Sequence, residues 1–211
     1  MQDLKQLYDA VLEGNARAAK TITETALAEG VDPQVLVSQY MIPAMDEAGR
    51  RFECNDYFVP ELLIAARAMK ASLELIRPLL AARGAQPVGR VVIGTVKGDL
   101  HDIGKNLVAS MLEGGGFEVV DLGVDVPPKK FVEAAKEKAG TIVALSALLT
   151  TTMTQMKAVI QSLKEAGIRE GTKVMIVGAP ITQQYADEIG ADGYSDNASA
   201  AVNLARKLVS A

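Results

Sequence analysis

The apolar residues of this chain change their period once, close to residue 85, and that change constrains the fold more than any motif does. Before it, Leu4, Leu7, Tyr8 and Val11, and later Leu62, Leu63, Ala66, Met69, Leu73 and Ile76, recur at three- and four-residue spacing, the mark of amphipathic helices. Turn signals at Gly14-Asn15, at Gly30-Val31-Asp32-Pro33 and around Cys54-Asn55-Asp56 divide this stretch into four helices. Asp32 is an N-cap, with Pro33 at the first helical position, where its missing N–H leaves no bond unmade. Four amphipathic helices with short connections predict an antiparallel bundle over residues 1–84.

After a polar link at 85–90 the pattern becomes short β-branched runs alternating with helical stretches. The runs are VVIGTV (91–96), FEVVDLG (117–123), TIVALSAL (141–148), KVMIVGA (173–179) and DGYSD (192–196). Helical segments are expected near 104–114, 128–138, 152–166, 183–189 and 197–209. Five strands alternating with five helices predict an α/β domain over 91–211, a parallel, doubly wound sheet of the flavodoxin or Rossmann-like kind with strands buried on both faces. Such sheets bind ligands at the carboxyl ends of their strands, where strand order reverses, between the first and third strands in the flavodoxin-like order. His101, Ser146 and Gly178-Ala179-Pro180 follow or end the first, third and fourth runs and should face one crevice.

Composition narrows the function classes. With 22 Lys and Arg against 26 Asp and Glu, a net charge of −4 and no basic run, nucleic acid is a poor partner, because phosphate neutralisation needs clustered cations. No stretch approaches the eighteen or so apolar residues of a membrane span, and the N-terminal MQDLKQLYDAVLEGN is charged and amphipathic, unlike a signal peptide. The single Cys54 cannot form an internal disulfide and fits a reducing compartment. A cytoplasmic protein is expected.

His101 is the only histidine in 211 residues, and it sits in GDLHDIGKN. A zinc site needs three or four protein ligands, usually His and Cys, which one of each in different halves cannot supply. A metal-dependent phosphohydrolase built on His101-Asp102 fails for want of further histidines. A phosphate loop reads G-x-x-x-x-G-K-S/T, whereas Gly98 to Gly104-Lys105-Asn106 has one residue too many and no hydroxyl. A flavin or phosphoacceptor pocket on the same fold stays open on the residues alone. Asp99 is placed to accept a hydrogen bond from one ring nitrogen while the other faces a metal, as second partners of metal-bound histidines do. One protein ligand suffices when a macrocycle supplies the rest.

Asp99-x-His101-x-x-Gly104 resembles the D-x-H-x-x-G signature of corrinoid-binding proteins. In that family 41 residues separate the glycine from an S-x-L element, and the same 41 lie between Gly104 and Ser146-Ala147-Leu148. A Gly-Gly comes later in the family, and Val177-Gly178 occupies that position here, with the first glycine replaced. The segment PAMDEAGRRFECNDYFVPELLIAARAMK (43–70) is similar to the helical cap that precedes the corrinoid domain in cobalamin-dependent methionine synthase and in small corrinoid proteins of methyltransferase systems. The resemblance covers nearly the whole chain.

What it implies is a corrinoid, cobalamin or a related cobamide, bound base-off and His-on. His101 is then the lower axial ligand of cobalt, with Asp99 and Ser146 as a hydrogen-bonded relay behind it. Gly104 lets the helix start close to the corrin. Asp102, Ile103, Leu148, Thr150, Val177, Gly178 and Ala179 are further cofactor-binding positions. Phe52, Tyr57, Phe58, Leu62 and Met69 either cover the upper face or are ordinary bundle core. Gly84 and Gly89 would let the cap swing, and Cys54 reads as incidental.

The function implied is a methyl carrier, a shuttle subunit more than a catalyst. It accepts a methyl group on cobalt(I) from a substrate:corrinoid methyltransferase and passes it to a second methyltransferase with a thiol or tetrahydrofolate acceptor, and a reductive activation protein is expected to serve it. A sensory cobalamin module and the cobalamin subunit of a mutase are the alternatives. The cap helices favour methyl transfer.

Overall fold

The computed structural model describes residues 4–210. The first three residues of the expected helical domain and the last of the α/β domain lie outside the described residues. The chain divides into two compact units, the first ending at Pro87 and also taking in Glu113–Gly116, the second made of the residues from Val88 onward apart from those four.

In the helical unit, α1 (Lys5–Leu12) and α2 (Ala16–Ala28) are separated by the Gly14-Asn15 turn, and the Asn15 side chain caps α2 by accepting the Ala18 N–H at 3.0 Å. Asp32 does the same for α3 (Pro33–Val35), accepting the Gln34 N–H at 2.9 Å. The third expected helix runs without a break from α3 through a π-helical turn, Leu36–Met41, into α4 (Ile42–Glu53). The wide turn lies directly ahead of Pro43, whose ring crowds the carbonyl four residues back and which has no N–H to donate. The last helix, α5 (Val59–Ala82), opens with the Glu61 carboxylate accepting the Phe58 N–H at 2.9 Å. It buries Leu62, Ala66, Met69, Leu73 and Ile76 along one face, each large side chain worth about 1.5–3 kcal/mol when removed from water.

Gly84, at φ +69°, closes the end of α5 in a left-handed turn, with Ala85 N–H returning to Leu80 O at 3.1 Å. Gly89 is no free hinge. A Cβ there would stand 2.7 Å from Val209 Cγ2 and 3.2 Å from the Phe117 ring, so that glycine is packed into the α/β unit.

The α/β unit holds one parallel sheet in the order β2-β1-β3-β4-β5, formed by β1 (Arg90–Thr95), β2 (Glu118–Asp121), β3 (Thr141–Ser146), β4 (Lys173–Val177) and β5 (Gly193–Ser195). Helices α6 (Ile103–Gly114), α7 (Pro128–Lys136), α8 (Thr154–Glu165), α9 (Gln183–Ile189) and α10 (Ala198–Ser210) alternate with them. β1 and β3 are buried along their whole length, as continuous apolar runs should be. β2 is an edge strand with its ends exposed and its middle half-buried, which corrects the expectation of burial on both faces there. Strand order reverses between β1 and β3. The register sets Thr95 beside Ser146, Ser146 beside Val177 and Val177 beside Ser195, one row across the carboxyl ends.

Candidate functional site

Beyond Thr95 the chain does not become a loose loop. The β2–α7 connection runs alongside it, with Thr95 N–H donating to Gly123 O at 2.9 Å, Val126 N–H to Thr95 O at 3.0 Å and Asp125 N–H to Asp99 O at 2.9 Å. Asp125 takes a left-handed φ of +53° and its Oδ1 accepts the Gly98 N–H at 2.7 Å. The Thr95 hydroxyl donates to the His101 carbonyl at 2.8 Å. Residues 98–101 are held by their backbone before any side chain is considered.

Asp99 is 1% exposed. Its Oδ1 accepts from His101 Nδ1 at 2.8 Å and from the His101 backbone N–H at 3.1 Å. Its Oδ2 accepts from the Thr152 hydroxyl at 2.6 Å and the Leu148 N–H at 2.8 Å. Burial alone would push this carboxyl up, but the hydrogen bonds from Thr152, Leu148 and His101 outweigh it and hold Asp99 well below the usual carboxylate range. A carboxylate only accepts, so Nδ1 carries the hydrogen, and in the neutral ring Nε2 presents its lone pair.

Nε2 has no partner among the described residues, and the His101 side chain is 51% exposed. Its surroundings are apolar and open. Leu100 and Ile103 are 72% and 79% exposed, Leu148 and Leu149 are exposed too, and nothing lies within 4 Å of a Cβ built on Gly104. Clustered exposed apolar side chains mark a binding surface. Among the described residues no group of three or more His, Cys, Asp or Glu could hold a metal ion, so a metal at Nε2 would bring its other ligands with it. The residues present fit a flat, largely apolar metal macrocycle.

Comparison with known proteins agrees. A family profile described as B12 binding domain matches residues 89–203, and a second B12 binding domain profile matches residues 3–77. The chain belongs to the B12-binding family. Trimethylamine corrinoid protein 1 of Methanosarcina acetivorans is 46% identical over 203 residues, covering 95% of this chain and 94% of that protein. Dimethylamine corrinoid protein 1 of the same organism is 45% identical, covering 98% and 97%. The crystal structure of the methanol:cobalamin methyltransferase complex of Methanosarcina barkeri contains a chain that superposes with a TM-score of 0.87 at 29% identity, covering 99% of this chain and 80% of that one.

In this B12-binding protein the remaining expected positions fall in three places. Asp102, Ile103 and Gly104 are exposed beside His101, and Asp102 Oδ2 accepts from Asn106 Nδ2 at 3.1 Å. Leu148, Thr150 and Ala179 are exposed on the loops after β3 and β4. Ser146 and Val177 are buried neighbours at the strand ends, and Gly178 follows with φ +142°. The expected relay through Ser146 takes another route here: the hydroxyl on Asp99 is that of Thr152, and Ser146 is not among Asp99's partners in the described residues.

Sequence reasoning missed two residues. Thr152 is the third of three consecutive threonines and the only buried one, which periodicity does not single out. Lys105, 2% exposed, donates to Asp121 Oδ2 at 2.5 Å and Asn106 Oδ1 at 2.6 Å. A charged residue that closely follows a glycine at a helix start was its only signal.

In the helical unit, Leu62 and Met69 are 0% and 1% exposed and belong to the bundle core. Tyr57 and Phe52 are half-buried, the Tyr57 hydroxyl donating to Leu12 O at 3.3 Å, and only Phe58, at 61%, presents its ring to solvent. Cys54 is free and exposed. No helix of the described residues is long and apolar enough to cross a membrane.

Proposed function

We propose that this chain is a corrinoid-borne methyl carrier, with His101 Nε2 replacing the cofactor's own lower base on cobalt. The observation that supports it most is the buried Asp99 gripping His101 Nδ1 at 2.8 Å while Nε2 faces open, apolar surroundings. A bound corrinoid would supply the cobalt on which the methyl group rides. The protein's part is to hold and tune. Asp99 fixes the imidazole tautomer and ring direction and raises its basicity as a ligand. Leu100, Ile103, Leu148 and Leu149 keep water from the lower face, Gly104 leaves room beside it, and the strand ends at Ser146, Val177 and Gly178 line the slot for the detached nucleotide tail.

Partners follow from the same reading. Relatives named trimethylamine and dimethylamine corrinoid proteins, and a neighbour named as part of a methanol:cobalamin methyltransferase complex, support a substrate:corrinoid methyltransferase as donor partner and a methylated amine as the first donor class to try. A second methyltransferase with a thiol or tetrahydrofolate acceptor takes the methyl group, and a reductive activation protein restores the working oxidation state.

The test is an anaerobic visible spectrum of protein reconstituted with hydroxocobalamin, beside His101→Ala, before and after reduction and addition of methyl iodide. Stoichiometric retention, the spectrum of a methylated corrinoid, and an axial-ligand difference in His101→Ala are expected. No retained corrinoid, or a variant spectrum identical to the wild type, overturns the reading.

A further inference from the structure

We infer that Val177, which stands where the family signature has glycine, sets which corrinoid this chain prefers by limiting the width of the lower base that enters the slot at the strand ends. The inference rests on the corrinoid reading above and deepens it. Thr95, Ser146, Val177 and Ser195 stand side by side in one row across β1, β3, β4 and β5. Side chains alternate between the faces of a sheet, and the preceding residues Leu145 and Ile176 belong to the core shared with α7, α8 and α9. Ser146 and Val177 therefore face the other side, where α10 packs on β3, β4 and β5.

Small residues line that side, and α10 opens there with Ala198 and Ser199 on its buried face. Of the hydroxyls in the row, Thr95 donates to the His101 carbonyl at 2.8 Å and Ser195 to Asn197 O at 2.6 Å. The hydroxyls of Ser146 and Ser199 have no partner among the described residues, although the two residues are only 8% and 7% exposed. Neither oxygen is sealed from solvent. A buried hydroxyl left unpaired is costly, so this narrow space suits a ligand group that brings hydrogen-bonding atoms of its own.

Val177 is the one aliphatic side chain in the row and is itself buried. Neighbouring strands lie ~4.8 Å apart, which puts its methyl groups one strand spacing from Ser146. A single-ring base seated at Ser146 stops short of them, whereas a dimethylated two-ring base reaches across onto Val177. Branching at Cβ leaves that side chain little freedom to turn aside. The strand end cannot draw back either, because Gly178 is pressed against the Ala147 carbonyl of β3's continuation. The chain thus favours a cobamide with a single-ring lower base over one that carries dimethylbenzimidazole, which still binds but more weakly.

The test titrates cofactor-free wild type, Val177→Gly and Val177→Thr with cobinamide, which has no base, with a phenolyl cobamide and with cobalamin. Affinity is read from the visible spectrum, without any methyl transfer. The wild type should bind the phenolyl cobamide about tenfold or more tightly than cobalamin, the effect of a few carbon atoms in a pocket of fixed shape. Val177→Gly should tighten cobalamin by a similar factor and leave cobinamide unchanged, a comparison in which the cost of detaching cobalamin's own base cancels. Val177→Thr keeps the branched shape and should keep the wild-type order. Val177→Ala stands in if the glycine variant fails to fold. A cobalamin-to-cobinamide ratio that is the same in wild type and Val177→Gly, or a threonine variant that behaves like the glycine one, overturns the inference and leaves the corrinoid reading standing. Should no corrinoid bind to any of these proteins, the proposed function fails and this inference falls with it.

Discussion

A Cβ on Gly178 would overlap the carbonyl oxygen of Ala147, at a backbone φ of +142° that only glycine adopts readily. The two residues follow adjacent strands, β4 and β3, so the glycine lets their ends approach at the rim of the crevice. Gly178→Ala should destabilise the cofactor-free protein by about 3 kcal/mol or more, combining backbone strain with an overlap that rigid backbone cannot relieve. Gly104→Ala makes the opposite case. Nothing stands within 4 Å of its added Cβ, so stability should hold or rise by up to about 1 kcal/mol through helix propensity, while corrinoid affinity falls. Urea unfolding and a cobalamin titration separate the two.

Acid should loosen the protein in a calculable direction. Asp99 is held below its ordinary value of 3.8, and Glu47 is lowered to about 2 from 4.5 by hydrogen bonds from Arg50 and Arg51. Each native state binds fewer protons than the unfolded one, so each carboxylate contributes stability that is fully present above about pH 5 and is lost as pH falls toward 2. Asp99→Asn and Glu47→Gln should each flatten the fall of unfolding free energy over that window. At neutral pH Asp99→Asn should also lower stability by about 1–3 kcal/mol, because an amide nitrogen then faces a donor. Wild-type slopes in both variants would contradict the assignment.

Ile103 is nearly four-fifths exposed in the first turn of α6, so folding gains little from its side chain. Ile103→Ser should change unfolding free energy by no more than about 0.5 kcal/mol yet weaken corrinoid binding about tenfold, the loss expected when a partly buried aliphatic contact is removed. Fluorescence quenching on cobalamin addition measures the second quantity, and an unchanged affinity would remove Ile103 from the cofactor's seat.

Asp125 clasps the histidine segment at two points, its N–H on Asp99 O and its carboxylate on the Gly98 N–H. Asp125→Asn keeps an oxygen acceptor and tolerates the left-handed backbone, so it should behave as wild type. Asp125→Ala keeps the strained φ without the acceptor and should cost about 1–2 kcal/mol. Hydrogen exchange across residues 96–101 should quicken in the alanine variant alone.

The division of the chain was legible because period is a local property: Leu62 to Ile76 can only bury one face as a helix, and VVIGTV and TIVALSAL only as strands between two layers. The pairing of Asp99 with His101 was legible too, since two residues of separation across a turn bring carboxylate and ring together. The π-helical turn ahead of Pro43 was not, because the same apolar spacing suits an uninterrupted helix. Nor was the choice of Thr152 over Thr150 and Thr151, because only the turn after β3 decides which of three identical side chains points inward. Packing of Phe117 and Val209 on Gly89 turned an apparent hinge residue into a fixed, partly buried one, a contact between segments that sequence spacing does not relate.

The partners that satisfy Asp99 Oδ2 come from 49 to 53 residues further along the chain. During synthesis His101 and Asp99 therefore emerge long before the loop that fixes the carboxylate, whose Oδ2 stays hydrated until β3 and the start of α8 have left the ribosome and docked. A nascent chain arrested before Thr152 is expected to show no preferred histidine tautomer and no hold on a corrinoid, so cofactor loading is a late step in the life of this protein, timed by the topology of its sheet.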